Sequence, residues 1–183
     1  KADKFYPFIN RENVVKSIGI CTNNVDNISN VKLLLDIINN FFPSISIILR
    51  PHATADKARL PEWKRLAEQY NLKFSNSINQ ISFEFLKEVD AIIVGESNIL
   101  LEAILMNVFP IYYDFNKARL DLYSFLSNRL VPECFGEPEQ VCQKIQELIH
   151  HKPYIRDRAK RYCHTIGTIY DGRSAELAAN LIT

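Results

Sequence analysis

Strand-like apolar runs alternate with stretches of helical period along this 183-residue chain, and that alternation narrows its fold more than any other feature. Parallel strands need a crossover between them, usually a helix, so the pattern points to parallel β/α units. A first strand is predicted from about Val14 to Cys21, ending in Thr22-Asn23-Asn24. From about Ser29 a helix follows, with Val31, Leu34, Leu35 and Ile38 spaced to line one face. Ile45 to Leu49 form the second strand, and Pro51 holds Arg50 extended. Pro61 suits an early helical position, with Trp63, Leu66 and Tyr70 facing inward. Leu72 to Phe74 reads as a short third strand, and Gln80 to Glu88 as a small helix. Asp90 to Val94, the helix Asn98 to Met106 and the strand Val108 to Tyr113 follow in turn. Arg129-Leu130-Val131 is predicted as a sixth strand, followed by helices at Pro138 to His150, Tyr154 to His164 and Ser174 to Leu181.

The expectation is therefore an α/β fold: a Rossmann-like, doubly wound, mainly parallel six-stranded sheet. Residues 1–183 read as one domain, with no repeat or internal linker, and the length suffices for one layered core. A net charge of +1 gives no nucleic-acid signal, and no apolar run approaches the roughly 20 residues that span a bilayer. Cys21, Cys134, Cys142 and Cys163 include no Cys-x-x-Cys pair and suggest neither a metal site nor a disulfide framework. They read as reduced thiols of a cytoplasmic protein. The sequon Asn27-Ile28-Ser29 stands alone, without other signs of secretion. Because the chain opens on Lys1 rather than Met, it is expected to be a fragment or a processed product of a larger protein.

In an open α/β sheet, ligands bind outside the carboxyl ends of the strands, where the strand order reverses. With the common order 3-2-1-4-5-6, Thr22 and Asn23 flank that crevice on one side and Gly95-Glu96-Ser97 on the other, with His52 close by. Gly95-Glu96-Ser97-Asn98 meets the start of a helix, where free amides and the dipole suit a phosphate; plain capping by Ser97 or Asn98 is the competing account. Glu102 is the only charge in Ile99 to Met106, a helix otherwise apolar all round. Its carboxylate leans back toward the crevice, either to accept hydrogen bonds from a ribose diol or to pair with an arginine or loop amides. Arg50 and His52 flank a stiffening proline; a histidine there can donate to phosphate or serve as an acid. His150 and His151, at a helix end, read as structural. Asp171-Gly172-Arg173-Ser174 opens the last helix, where Asp171 or Ser174 can cap and Arg173 can add charge for a phosphate. GxGxxG, GxxxxGK[ST] and GxSxG are all missing, which weakens dehydrogenase, P-loop and hydrolase readings.

At these motifs the chain resembles the carboxyl-terminal, donor-binding half of GT-B glycosyltransferases, notably bacterial capsule and surface-polysaccharide, sialyltransferase-like and glycerophosphotransferase families. Arg50-Pro51-His52-Ala53 is similar to their His-Pro pair after a strand, with Ala53 in place of the proline. Ser97-Asn98 stands where those families carry Ser-Ser or Ser-Thr. Leu100-Leu101-Glu102-Ala103 and Val108-Phe109-Pro110-Ile111 resemble their Leu-Glu-Ala and Gly-Val-Pro-Val pattern, with Asn107 replacing the usual glycine. Tyr170 to Glu176 is similar to their closing Asp-Gly-x-x-Ser/Ala stretch.

The resemblance implies that His52, Ser97 and Ser174 contact nucleotide phosphates and that Glu102 contacts the ribose. With Thr22, Asn23, Arg50, Glu96, Asn98, Gly172 and Arg173, these make up the expected donor site, and His52 is its candidate catalytic group. The implied activity is metal-independent transfer of a sugar from a CMP-, CDP- or UDP-linked donor to a polysaccharide or glycolipid acceptor. No further cofactor, metal ligand or nucleic-acid partner is implied. An amino-terminal half-domain would supply the acceptor pocket, and the whole protein would work in the cytoplasm at the inner face of the membrane. A nucleotide-sugar epimerase and a non-catalytic sugar-nucleotide-binding or assembly module are the alternatives.

Overall fold

Strand runs without polar alternation signal burial on both faces, and the strands behave that way. The computed structural model describes residues 12–52, 59–118 and 121–182; Lys1 and Ala53 lie outside them. β1 (Ser17–Thr22), β2 (Ser46–Pro51), β4 (Ala91–Val94) and β5 (Phe109–Tyr112) are buried along nearly their whole length, whereas β3 (Lys73–Phe74) is a short, more exposed edge. The order is β3-β2-β1-β4-β5, and every neighbouring pair is parallel. The strand order reverses between β1 and β4, so the ends of β2, β1 and β4 meet at one edge.

Helices flank this sheet. α1 (Ile28–Phe41) buries Val31, Leu34, Leu35 and Ile38, the stripe that its periodicity picks out, and Asn27 caps it by accepting from the Ser29 amide at 2.9 Å. α2 (Leu60–Gln69) buries Trp63, Leu66 and Ala67. Tyr70 ends that helix half-buried, its hydroxyl donating to Asp36 of α1. α3 (Ser82–Leu86) packs against α4 (Ile99–Leu105), and α1 against α5 (Pro138–His150). A 3-10 helix at Arg156–Arg161 replaces the longer helix that the sequence suggests, and α6 (Ser174–Ile182) buries none of its residues. Among the described residues no helix is long and apolar enough to cross a membrane.

Among the described residues the sheet has five strands rather than six. Leu130 and Val131 are buried as a strand's residues would be, but Arg129 takes a left-handed φ of +58°, which turns the chain out of line. Phe135 makes the outermost contact instead, through a single parallel bridge to Tyr113. Its amide donates to the Tyr112 carbonyl at 2.9 Å, and its own carbonyl accepts from Asp114 at 2.8 Å.

Gly19, at the middle of β1, is required by packing. A Cβ there would lie 2.4 Å from Cζ of Phe85, a fully buried ring of α3. Gly19→Ala should therefore destabilise by about 1–3 kcal/mol, the usual cost of overfilling a packed core. Urea unfolding that showed no lowered midpoint would refute this.

Candidate functional site

The ends of β2, β1 and β4 and the chain after β5 enclose one cleft of about 610 Å³. Thr22, Asn23, Arg50, His52, Glu96, Ser97, Asn98 and Glu102 all line it. These residues are up to eighty positions apart in sequence. Parallel strands collect them, because such strands all end on the same edge.

β2 delivers Arg50, buried to 7% exposure. Its guanidinium donates to the Ser75 hydroxyl at 2.6 Å and the Gln80 carbonyl at 2.8 Å, and lies 4.9 Å from the Phe85 ring centroid. Those bonds tie it to the loop between β3 and α3, and Ser77 on that loop donates to the Pro51 carbonyl at 2.5 Å. Pro51 thus reaches the cleft on a braced backbone, and His52 follows it, exposed at the wall. Cys21 also lines the cleft; burial pushes its thiol up to about 12, so it stays protonated and unreactive at neutral pH.

Glu102 sits half-buried in the first turn of α4. Burial raises its carboxyl above the usual range, against the opposing effects of a hydrogen bond from Ser82 and the nearby Arg50 charge. The carboxylate thus has a structural partner and also faces the cleft. Asn98 is the N-cap residue of α4, but its side chain makes no capping bond; the Leu100 amide bonds to the Ser97 carbonyl at 3.0 Å. Glu96 accepts from the Tyr112 hydroxyl on one oxygen and from the Tyr123 amide at 3.3 Å on the other.

Gly172, Arg173 and Ser174 do not line this cleft. Arg156 explains why: its Nε donates to the Leu105 carbonyl at the carboxyl end of α4 (2.8 Å), and its Nη2 donates to Asp171 (2.7 Å). The Asp171 segment is thus tied to the far end of a helix about 10 Å long, away from Ser97 and Asn98. Gly172 takes φ +74°, Arg173 pairs with Glu176, and the Ser174 hydroxyl lies 3.1 Å from that of Thr165.

The periodicity and motifs single out none of Asp26, Arg59 and Asn116, yet these three hold the cleft's loops together. Asp26, 3% exposed, accepts from the Asn23 amide at 2.8 Å and from the Asn116 side chain at 3.3 Å. Arg59 donates to the carbonyls of Asn24 (2.8 Å) and Asp26 (3.0 Å). Three loops from different strands meet at this point. The available signal was an acid two residues after the polar Asn23-Asn24 pair, with no nearby cation in sequence.

Burial lifts the Asp26 carboxyl from 3.8 to about 6, with the Asp114 charge adding to the rise and the Asn23 amide, Arg59 and Asn116 opposing it. The folded chain holds this proton more tightly than the unfolded chain does. Ionised Asp26 therefore weakens the fold above pH 6, and the penalty disappears as pH falls toward about 4. Asp26→Asn should be the more stable form at pH 7–8, by up to about 3 kcal/mol, with the difference closing near pH 4. Denaturation midpoints of both forms across that range test it; an asparagine form weaker at every pH would refute it.

No protein-family model matches the chain, and no curated protein matches it either. Solved structures share its fold, two of them as follows. A TarM variant from S. aureus, in complex with fondaparinux, alpha-GlcNAc-glycerol and UDP, superposes with a TM-score of 0.58 at 12% identity. That match covers 97% of this chain and 37% of TarM, so the chain spans well under half of that protein. The C-terminal domain of LpcC, a group 1 family glycosyl transferase from Francisella tularensis, superposes with a TM-score of 0.53 at 13% identity, over 88% of this chain and 96% of that domain. The chain has the fold of the carboxyl-terminal half of a GT-B glycosyltransferase.

Proposed function

We propose that this chain is the donor-binding module of a glycosyltransferase, taking a nucleotide sugar and presenting it to a glycan or glycolipid acceptor. The observation that carries the reading is the convergence of Arg50, His52, Ser97, Asn98 and Glu102 on one strand-end cleft. TarM, whose fold this chain shares, forms a complex with UDP. On this reading Glu102 accepts from the ribose diol, while Ser97, Asn98 and His52 donate to phosphate oxygens.

In transfer, an acceptor hydroxyl attacks the anomeric carbon and forms the new glycosidic bond. The bond to the phosphate oxygen breaks, and the nucleotide leaves with that electron pair. Donors placed where the negative charge develops lower the barrier. His52 can donate to the leaving oxygen, which makes it the candidate catalytic residue. These donors carry the role without a divalent metal. A second half-domain would supply the acceptor pocket and the base that takes the hydroxyl proton, and the assembled protein would work in the cytoplasm at the membrane's inner face.

Calorimetric titration with UDP, CDP and CMP tests this reading. One of them should bind weakly to the wild-type chain, and EDTA should leave that binding unchanged. Glu102→Gln keeps the shape but removes the charged acceptor, worth about 1.5–3 kcal/mol per hydrogen bond, so affinity should fall roughly ten- to a hundredfold. Melting should hold or rise, because the variant no longer buries a charge. Unchanged affinity in the variant would make Glu102 purely a partner of Ser82 and Arg50.

A further inference from the structure

Beside its polar residues, the cleft carries an aromatic surface that the proposed function has not used. Tyr123 and Leu122 line the cleft and are 46% and 74% exposed. One face of the Tyr123 ring is covered: it stacks on Phe125 with centroids 5.4 Å apart and planes 17° apart. Phe125 is buried and meets the Tyr112 ring edge-on at 6.0 Å. Ser124, between the two aromatic residues in sequence, takes a left-handed φ of +57°.

This segment is held at both ends. Asp121 accepts from the amides of Leu126 and Ser127, each at 3.2 Å, and from the Ser127 hydroxyl at 2.8 Å. The Tyr123 amide is bonded to Glu96, whose other oxygen takes the Tyr112 hydroxyl. A ring backed by a buried ring and pinned through its own amide is a preorganised surface, and its uncovered face is free to receive an apolar face.

We infer that Tyr123 is the platform on which the transferred sugar ring rests, which makes it a specificity-determining residue of the donor site. The inference depends on the nucleotide-sugar reading above. Glu102 interacts with Arg50 and Ser82, which puts it on the β2 and α3 side of the cleft; Glu96 and Tyr123 lie on the β5 side. Ribose at Glu102 and phosphate at Ser97 and Asn98 set the direction of the donor. The base leaves the ribose at one carbon and the phosphate at another, so the group beyond the phosphate extends toward Glu96 and Tyr123. A pyranose with several axial C–H bonds on one side has an apolar face that suits the tyrosine ring. Glu96 keeps lone pairs beyond its two bonds for hydroxyls at the sugar's edge.

The test compares bare nucleotides with their sugar conjugates on the chain as it stands. Titrations of UDP, UDP-glucose, UDP-N-acetylglucosamine, CMP and CMP-N-acetylneuraminate are run on wild type, Tyr123→Ala, Tyr123→Leu and Tyr123→Phe. Wild type should bind at least one conjugate more tightly than its bare nucleotide. Tyr123→Ala and Tyr123→Leu should lose that gain, roughly three- to tenfold, with the bare nucleotide unaffected, whereas Tyr123→Phe should keep it. The leucine form keeps apolar bulk over Phe125, so a folding defect confined to alanine does not decide the outcome. Equal loss for nucleotide and conjugate, no loss for either, or no conjugate preferred by wild type would each overturn the platform alone. Wild type that binds none of the five would overturn the nucleotide reading and the platform with it.

Discussion

A guanidinium buried at the end of a central strand sets the terms for the rest of this site. Arg50 cannot sit at 7% exposure without partners, since an unpaired buried charge costs several kcal/mol. Its partners are the Ser75 hydroxyl, the Gln80 carbonyl and the Phe85 ring, all on the segment that links β3 through α3. Phe85 presses in turn on Gly19 of β1, where no side chain would fit. One cation thus couples the middle of the sheet to the loop that braces His52. Burial lowers Arg50's affinity for its proton, while the Glu102 carboxylate raises it. The half-buried carboxylate of Glu102 therefore has a reason to be there before any ligand is considered. The two groups moderate each other's burial cost, and both remain at the cleft wall.

The parts of the fold legible in the sequence are those whose cause is local. The α1 stripe needs only the helical period, and α5 needs only Pro138 at its start and the amphipathic pattern up to His150. The strand ends expected at Cys21, Leu49 and Val94 fall within two residues of the observed ends, Thr22, Pro51 and Val94, because polar residues abruptly follow apolar runs. Arg129 to Val131 shows the opposite case. Burial of an apolar pair looks alike whether the backbone is extended or turned, and only φ at Arg129 separates the two.

The site divides on the same principle. Residues directly following a strand could be named, because topology alone carries them to the edge. Asp26, Ser82, Tyr112 and Tyr123 are tied to the cleft by partners 3, 20, 16 and 27 positions away, respectively Asn23, Glu102, Glu96 and Glu96. No spacing rule reports such pairs. Asp171-Gly172-Arg173-Ser174 marks the limit of motif reasoning. Its order in the chain fits the resemblance, but its place is set by Arg156, a long-range anchor at the far end of α4.

Charge accounting at the cleft bears on how such a module would work. Among the described residues its lining includes one guanidinium, already committed to Ser75 and Gln80, and one imidazole, against the carboxylates of Glu96 and Glu102. On the proposed reading, a diphosphate would meet mostly neutral donors, the hydroxyl of Ser97 and the side-chain amides of Asn23 and Asn98. Neutral hydrogen bonds are about half as strong as charge-assisted ones. On the proposed reading, these described residues alone would therefore hold a donor loosely. Cations brought to the open side by a second half-domain would strengthen the grip only while the halves are closed. Affinity and catalysis would then be coupled by closure, with the leaving charge compensated when the acceptor is in place and little donor held when it is not.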